Sequence, residues 1–274
     1  MKDYDVKTFV RERYASVAQG GSSCCGPADC CGSESAVVEE ISKGIGYSED
    51  EMKGVPDGAD MGLGCGNPTA IASLEPGDKV LDLGSGGGFD CFLAAKQVGK
   101  DGHVVGVDMT PEMIAKARKN AADGNYDNVE FRLGEIEHLP AADDYFDVII
   151  SNCVINLSPQ KDKVFAEMNR VLKPGGRFSI SDIVLDKKLP ESVQESVAAY
   201  SGCIAGAMLK EDYLEVLREA GFRDIKVEKE QKFALDFIIS DPIASEIVKG
   251  LAITKDDLKS TQEAVLSITV TGVK

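Results

Sequence analysis

The stretch Val80-Leu81-Asp82-Leu83-Gly84-Ser85-Gly86-Gly87-Gly88 decides the fold. A short apolar strand runs into a glycine-rich turn, and Phe89 to Val98 then reads as a helix. Gly84, Gly86 and Gly88 carry no Cβ, so the backbone can turn sharply and approach a ligand closely. Gly106-Val107-Asp108 closes the next strand with an acid. That acid lies 24 residues beyond Gly84 (108 − 84), near the roughly 20 expected for a ribose-binding carboxylate in a βαβ nucleotide fold. A dinucleotide site wants G-x-G-x-x-G, the third glycine packing helix on strand. Phe89 stands at that third position, which points to a different nucleotide.

The run Asp82-x-Gly84-x-Gly86-x-Gly88 instead resembles the first motif of class I S-adenosylmethionine (SAM) methyltransferases. A tight βα turn in another α/β protein is the plain alternative, and the spaced Asp108 weighs against it.

A chain of 274 residues can bury one large domain's core, with or without appendages. Its formal net charge of −16 repels polyanions, so nucleic acid is not an expected partner. No signal-peptide pattern opens the chain and no apolar run is long enough for a membrane span. A cytoplasmic protein without a membrane partner is therefore expected. Eight cysteines are many for such a protein: Cys24, Cys25, Cys30, Cys31, Cys65, Cys91, Cys153 and Cys203. In a reducing compartment they suit metal, metalloid or redox chemistry better than a disulfide framework.

Residues 3–18 place Val6, Phe9, Val10, Tyr14 and Val17 at helical spacing, an amphipathic helix expected to lie on the main domain. Gly20 to Gly32 carries the pairs Cys24-Cys25 and Cys30-Cys31 among Gly, Ser and Pro, with no regular element predicted. Clustered thiols there suit capture of a soft ion. A zinc knot and an adventitious thiol cluster are the alternatives, and adjacent cysteines bend poorly around one tetrahedral ion. Ala36 to Ile45 is a predicted helix. Met61 to Pro68 is a second glycine-rich segment, whose three glycines are expected to expose the Cys65 thiol, and a short helix is predicted after Pro68. Strands are then predicted at 79–83, 103–107, 128–132, 145–151 and 176–182, with helices at 88–98, 111–122 and 160–172 between them. This alternation implies a Rossmann-like parallel sheet with helices on both faces. Pro190 to Met208 and Lys210 to Ala220 read as helical. Strands near 223–233 and 264–273 are expected to form an antiparallel edge. Three parts follow: residues 1–68 as helix, cysteine-rich loop and lead-in; 69–186 as the cofactor-binding core; and 187–274 completing the substrate site and the sheet edge.

Ligands of an open α/β sheet bind outside the carboxyl ends of the strands. The residues delivered there are Gly84–Gly88 with Ser85, then Asp108 and Met109, then Glu135 and Ile136, then Asn152 and Cys153, and finally Ser181-Asp182. Asp108 suits the ribose hydroxyls and Glu135 the adenine amine. Cys153 sits beside the expected reacting end, Cys65 just before the core, and Cys203 in a small-residue run after the fifth strand. Separations of 88 and 50 residues form no local motif, so only the fold can join these three. Cys91 is expected to be a packed helix thiol.

Over nearly its whole length the sequence resembles the arsenite SAM methyltransferases, most sharply at Met61–Pro68, Val80–Cys91, Ser151–Pro159 and Gly202–Ala207. The resemblance implies a class I methyltransferase fold and a SAM site at Asp82, Gly84, Gly86, Gly88, Asp108 and Glu135. It implies arsenic-binding thiols at Cys65, Cys153 and Cys203, with a further family cysteine among the four upstream. It also implies a small-molecule substrate, arsenite or its thiol conjugate, and a thiol reductant such as glutathione or a thioredoxin-type protein. An organic-substrate methyltransferase would not need three rim cysteines. A non-catalytic metalloid or redox sensor would not need the SAM loop.

Overall fold

The computed structural model describes residues 3–19, 34–189, 206–232 and 255–274. The cysteine-rich loop with Cys24, Cys25, Cys30 and Cys31, most of the segment 190–208, and Cys203 lie outside the described residues. The described elements are α1 (Asp3–Ala18), α2 (Glu34–Ile45), α3 (Glu49–Lys53), β1 (Lys79–Leu83), α4 (Phe89–Val98), β2 (His103–Asp108), α5 (Pro111–Asp123), β3 (Val129–Leu133) and β4 (Phe146–Asn152). After a 3₁₀ turn at Ile155–Leu157 come α6 (Lys161–Val171), β5 (Leu172–Leu185), α7 (Lys210–Glu219), β6 (Arg223–Lys232), α8 (Lys255–Ala264) and β7 (Val265–Val273).

The strands form one sheet in the order β3-β2-β1-β4-β5-β7-β6. β1 pairs in parallel with β2 (Val80 opposite Val104) and with β4 (Val80 opposite Val148), and β4 with β5. β7 runs antiparallel to both β5 and β6, so the reversed strand sits one place in from the edge. The central strands are apolar on both faces because helices cover both. Leu81, Leu83 and Ile149 join a core with Phe165, Met168 and Leu217 from α6 and α7. Val80, Val148 and Ile150 join another with Phe92, Val98, Ile114 and Ala117 from α4 and α5. This alternation is the two-residue period of a pleated strand buried from both sides.

Most predicted elements are present within a few residues. Two differ. The Pro68 segment is a single hydrogen-bonded turn, Ala72 N donating to Pro68 O at 3.0 Å, and not a helix. α6 stops at Val171 and the chain passes straight into β5, so Pro174 and Gly175 lie within a long strand. α1 docks as its stripe predicts. Val6 and Val10 are buried, and Tyr14 half-buried, against Cys65, Cys153, Leu157, Leu185 and Val265. That places α1 over the carboxyl ends of the central strands. No helix among the described residues is long and apolar enough to cross a membrane.

Candidate active site

The glycine turn after β1 is held by β2. Gly84 N and Ser85 N donate to Val107 O at 2.8 and 3.0 Å, and Gly86 N donates to the Asp108 carboxylate at 3.0 Å. Gly84 and Gly88 have φ of +68° and +95°, a left-handed backbone that side chains rarely adopt. Space forbids a side chain as well. A Cβ on Gly84 would lie 2.6 Å from Val154 Cβ, and one on Gly88 2.7 Å from both Phe92 and Phe131. The turn can therefore pass between β4's exit and the first helix only as glycine.

A cavity with about 1100 Å³ of empty space opens against this turn. Asp82, Ser85, Gly86, Asp108, Met109, Ile136, Asn152 and Cys153 all line it, and Lys7, Val10 and Tyr14 of α1 form part of its wall. Asp108 accepts Thr110 N at 2.8 Å besides Gly86 N, and burial raises its pKa. The cavity fits SAM on three grounds. Ser85 Oγ is buried with no hydrogen-bond partner among the described residues, an orphan polar atom on the cavity wall. Asp82, Asp90 and Asp108 face the same space, matching a ligand that carries a sulfonium and an ammonium. Burial, then the charge of Asp90, pushes the Asp82 carboxyl well up, which a cationic ligand would reverse.

Glu135 does not line this cavity. Lys7 Nζ at 2.8 Å and Arg11 Nη2 at 3.4 Å hold its carboxylate, and those ion pairs lower its pKa. The neighbours Gly134, Ile136 and Glu137 line the cavity instead. Glu137 is buried, accepts from Ser158 Oγ, and pairs with Lys7 Nζ at 3.1 Å. Of the two acids, the one two residues on faces inward, an alternation that a loop read from sequence does not reveal.

Cys65 is fully buried, whereas its glycine neighbours predict an exposed thiol. Those glycines serve close approach. A Cβ on Gly64 would meet Asn152 Nδ2 at 2.7 Å, and one on Gly66 would meet Ser181 Oγ at 2.6 Å. Cys65 N donates to Asn152 Oδ1 at 3.0 Å, and Ser267 Oγ donates to Cys65 O at 2.8 Å. Asn152 Nδ2 donates in turn to Gly66 O (2.8 Å), Tyr47 OH (2.9 Å) and Asp90 Oδ2 (3.2 Å). One amide at the end of β4 thus pins the lead-in to the sheet.

Cys153 follows at φ +60°, a left-handed conformation unusual for a residue with a side chain, and lies on the cavity wall. Its N–H donates to Ser181 O at 2.8 Å, and the Cys65 thiol donates to the same oxygen at 3.5 Å. A single β5 carbonyl therefore draws together two cysteines 88 residues apart. The two Sγ atoms and a carboxylate oxygen of Asp182 all lie within 4.8 Å of one another. Asp182 has no exposed surface and accepts from Asn156 Nδ2 (2.8 Å), Ile183 N (2.9 Å) and Tyr213 OH (3.1 Å). Burial pushes its carboxyl up to about 7 against those bonds. Cys91 stands apart on α4, its thiol donating to Asp82 Oδ2 at 3.1 Å.

A methyltransferase domain model matches residues 74–221, just over half of the chain. The structure of an arsenic(III) S-adenosylmethionine methyltransferase from Chlamydomonas reinhardtii superposes with a TM-score of 0.62 at 34% identity, over 86% of this chain and 73% of that one. The chain belongs to the arsenite methyltransferase family. The arsenite methyltransferase of Halobacterium salinarum is 52% identical over 231 residues, 81% of this chain and 59% of that protein. That of Aquipseudomonas alcaligenes is 42% identical over 179 residues, 63% of this chain and 51% of that protein. The match thus spans little more than half the length of these two proteins. SAM is the methyl donor of the family to which this cavity belongs.

Asp90, Tyr47, Glu137 and Tyr213 are site residues that sequence reading did not single out as such, whereas Asp182 was expected at the rim. Asp90 alone had a local signal, two residues past the last glycine of the turn. Met109, Ile136 and Asn152 line the cavity as expected of strand-end residues, and Cys203 lies outside the described residues.

Proposed function

We propose that this protein transfers methyl groups from SAM to trivalent arsenic held by the thiolates of Cys65, Cys153 and Cys203. The observation that carries the reading is the convergence of Cys65 and Cys153, through Ser181 O, beside the SAM cavity that Cys153 itself lines. Ala207, four residues after Cys203 in the sequence, packs against the apolar cluster that holds both cysteines. Soft thiolates match a soft metalloid. Three of them leave arsenic one lone pair.

SAM, when bound, supplies an electrophilic methyl on its sulfonium. The protein's own residues do the rest by holding groups in place. Asp108 and the glycine turn shape the nucleoside end, the carboxylates of Asp82 and Asp90 balance the cationic end, and Asn152 fixes the Cys65 backbone against β4. Proximity and orientation of this kind can supply most of the acceleration for a displacement that needs no acid or base. Attack by the arsenic lone pair leaves methylated arsenic in the pentavalent state. Two electrons from a cysteine pair, passing to a disulfide, return it to the trivalent state, and glutathione or a thioredoxin-type protein restores the thiols. Cys24-Cys25 and Cys30-Cys31 are placed in this scheme as capture or electron-supply thiols.

Incubation with arsenite, methyl-labelled SAM and a thiol, followed by separation of arsenic species, should give labelled methylarsenicals. Single Cys→Ser changes at 65, 153 and 203 should each abolish most arsenite affinity, double changes should add little, and SAM affinity should survive, as for residues acting as a unit. Cys91→Ser should leave arsenite binding intact. A Cys153→Ser protein that binds and methylates arsenite like the unaltered chain refutes the thiol site.

A further inference from the structure

The thiol pair carries more oxygen chemistry than arsenic needs. Trivalent arsenic held by three thiolates has no use for a carboxylate, yet a buried Asp182 oxygen lies within 4.8 Å of both Cys65 Sγ and Cys153 Sγ. Beside it stands a second anomaly. Asn156 has no exposed surface and donates through Nδ2 to Asp182 and to Ile183 O, but its own Oδ1 is buried with no hydrogen-bond partner among the described residues. A buried carbonyl oxygen left unsatisfied costs about 1–3 kcal/mol unless a water or cation completes it. Two thiols and a carboxylate form a mixed sulfur–oxygen donor set.

We propose that this cluster is also a site for one thiophilic divalent cation, zinc or cadmium, bound by Cys65, Cys153 and Asp182 in place of arsenite. Zinc takes thiolate sulfur at about 2.3 Å and carboxylate oxygen at about 2.0–2.2 Å, so its tetrahedral ligands stand roughly 3.3–3.8 Å apart. Donors already within 4.8 Å need only a small closure. Binding is balanced as the cation displacing one proton from each thiol, and one from the Asp182 carboxyl wherever it carries one, to solvent. Asp182 distinguishes the two occupants, since an oxygen anion favours the harder divalent cation and contributes nothing to a trithiolate arsenic. Two occupants sharing Cys65 and Cys153 must exclude one another. That competition rests on the arsenite reading above, whereas the cation site does not.

The test uses the full chain carrying Cys24→Ser, Cys25→Ser, Cys30→Ser and Cys31→Ser, so that the N-terminal pairs hold no cation, with Cys203→Ser added for the NMR so that no third arsenic thiol joins. Cadmium is titrated and followed by its thiolate-to-metal ultraviolet absorption and by cadmium NMR. One cadmium per chain is expected, in a two-sulfur, mixed-oxygen environment, displaced by arsenite. Asp182→Asn should weaken cadmium by about tenfold or more while arsenite affinity holds, and Cys153→Ser should weaken both. Wild-type cadmium affinity in Asp182→Asn, simultaneous binding of cadmium and arsenite, or a three- or four-thiolate NMR shift each overturns the proposal. The NMR shift needs no Asp182 variant and stands if that variant fails to fold. Cadmium bound as described in a protein that does not bind arsenite upholds the cation site and sinks the arsenite reading alone.

Discussion

Gly84→Ala tests whether the cofactor turn and the Cys153 turn are one mechanical unit. The substitution puts a Cβ at φ +68°, which costs a residue with a side chain about 1–2 kcal/mol. The same Cβ would lie 2.6 Å from Val154 Cβ and as close to a Val154 methyl, an overpacking worth about 1–3 kcal/mol. The expected loss is the sum, roughly 2–5 kcal/mol. Only the second part depends on Val154. Val154→Ala alone removes two half-buried methyls and should cost about 1 kcal/mol. In the double variant the methyl clash is gone while the Cβ–Cβ approach of 2.6 Å and the backbone strain remain, so the four-protein cycle should show a favourable coupling of about 1 kcal/mol, part of the overpacking. Chemical denaturation of the four chains measures it. Val154 directly follows Cys153, so the push on Val154 should also displace that thiol. Calorimetry should therefore find arsenite affinity reduced along with SAM affinity in Gly84→Ala, and partly restored in the double variant. Effects additive within about 0.5 kcal/mol, or a Gly84→Ala protein with unaltered arsenite affinity, would refute the mechanical link.

Asn152→Ala leaves Cys65 N–H and Gly66 O without the amide, while Tyr47 and Asp90 keep their bond to each other, so denaturation should show a loss of about 2–4 kcal/mol, with arsenite affinity falling more than SAM affinity. Asp108→Ala removes the acceptor that orders Gly86 and Thr110, and titration should show SAM affinity at least about tenfold weaker, the scale of a lost hydrogen bond to a charged group. Asp90 gives a pH dependence. Burial pushes its carboxyl up to about 6 despite hydrogen bonds from Tyr47 and Asn152, against an ordinary value of 3.8. The folded state holds that proton more tightly than the unfolded chain, so the group's stabilising contribution is complete below pH 3.8 and is lost as pH rises through about 6. The difference in unfolding free energy between the unaltered chain and Asp90→Asn should fall by up to about 3 kcal/mol across that window, and a flat difference would contradict it.

The strand–turn–helix at Val80–Val98, the acid at Asp108 and the alternation of elements were legible from sequence. Each is written in neighbours a few residues apart, where backbone sterics and side-chain periodicity act. Sequence reading expected parallel strands from apolar runs, and those runs are apolar because both faces are covered. Placement was another matter. Glu135 and Glu137 are both acids after β3, and only the docking of α1, with Lys7 between them, decides which faces the cavity. Glycines around Cys65 read as freedom and exposure, and the packed structure uses them to seat the backbone on Asn152 and Ser181. Nothing local marks Asp182 as a neighbour of two cysteines, one 117 residues upstream and one 29 (182 − 65 and 182 − 153). Those three meet because β4 and β5 are adjacent in the sheet and the lead-in folds back across their carboxyl ends. Such meetings depend on strand order and on contacts between distant segments, which a chain acquires only when it folds.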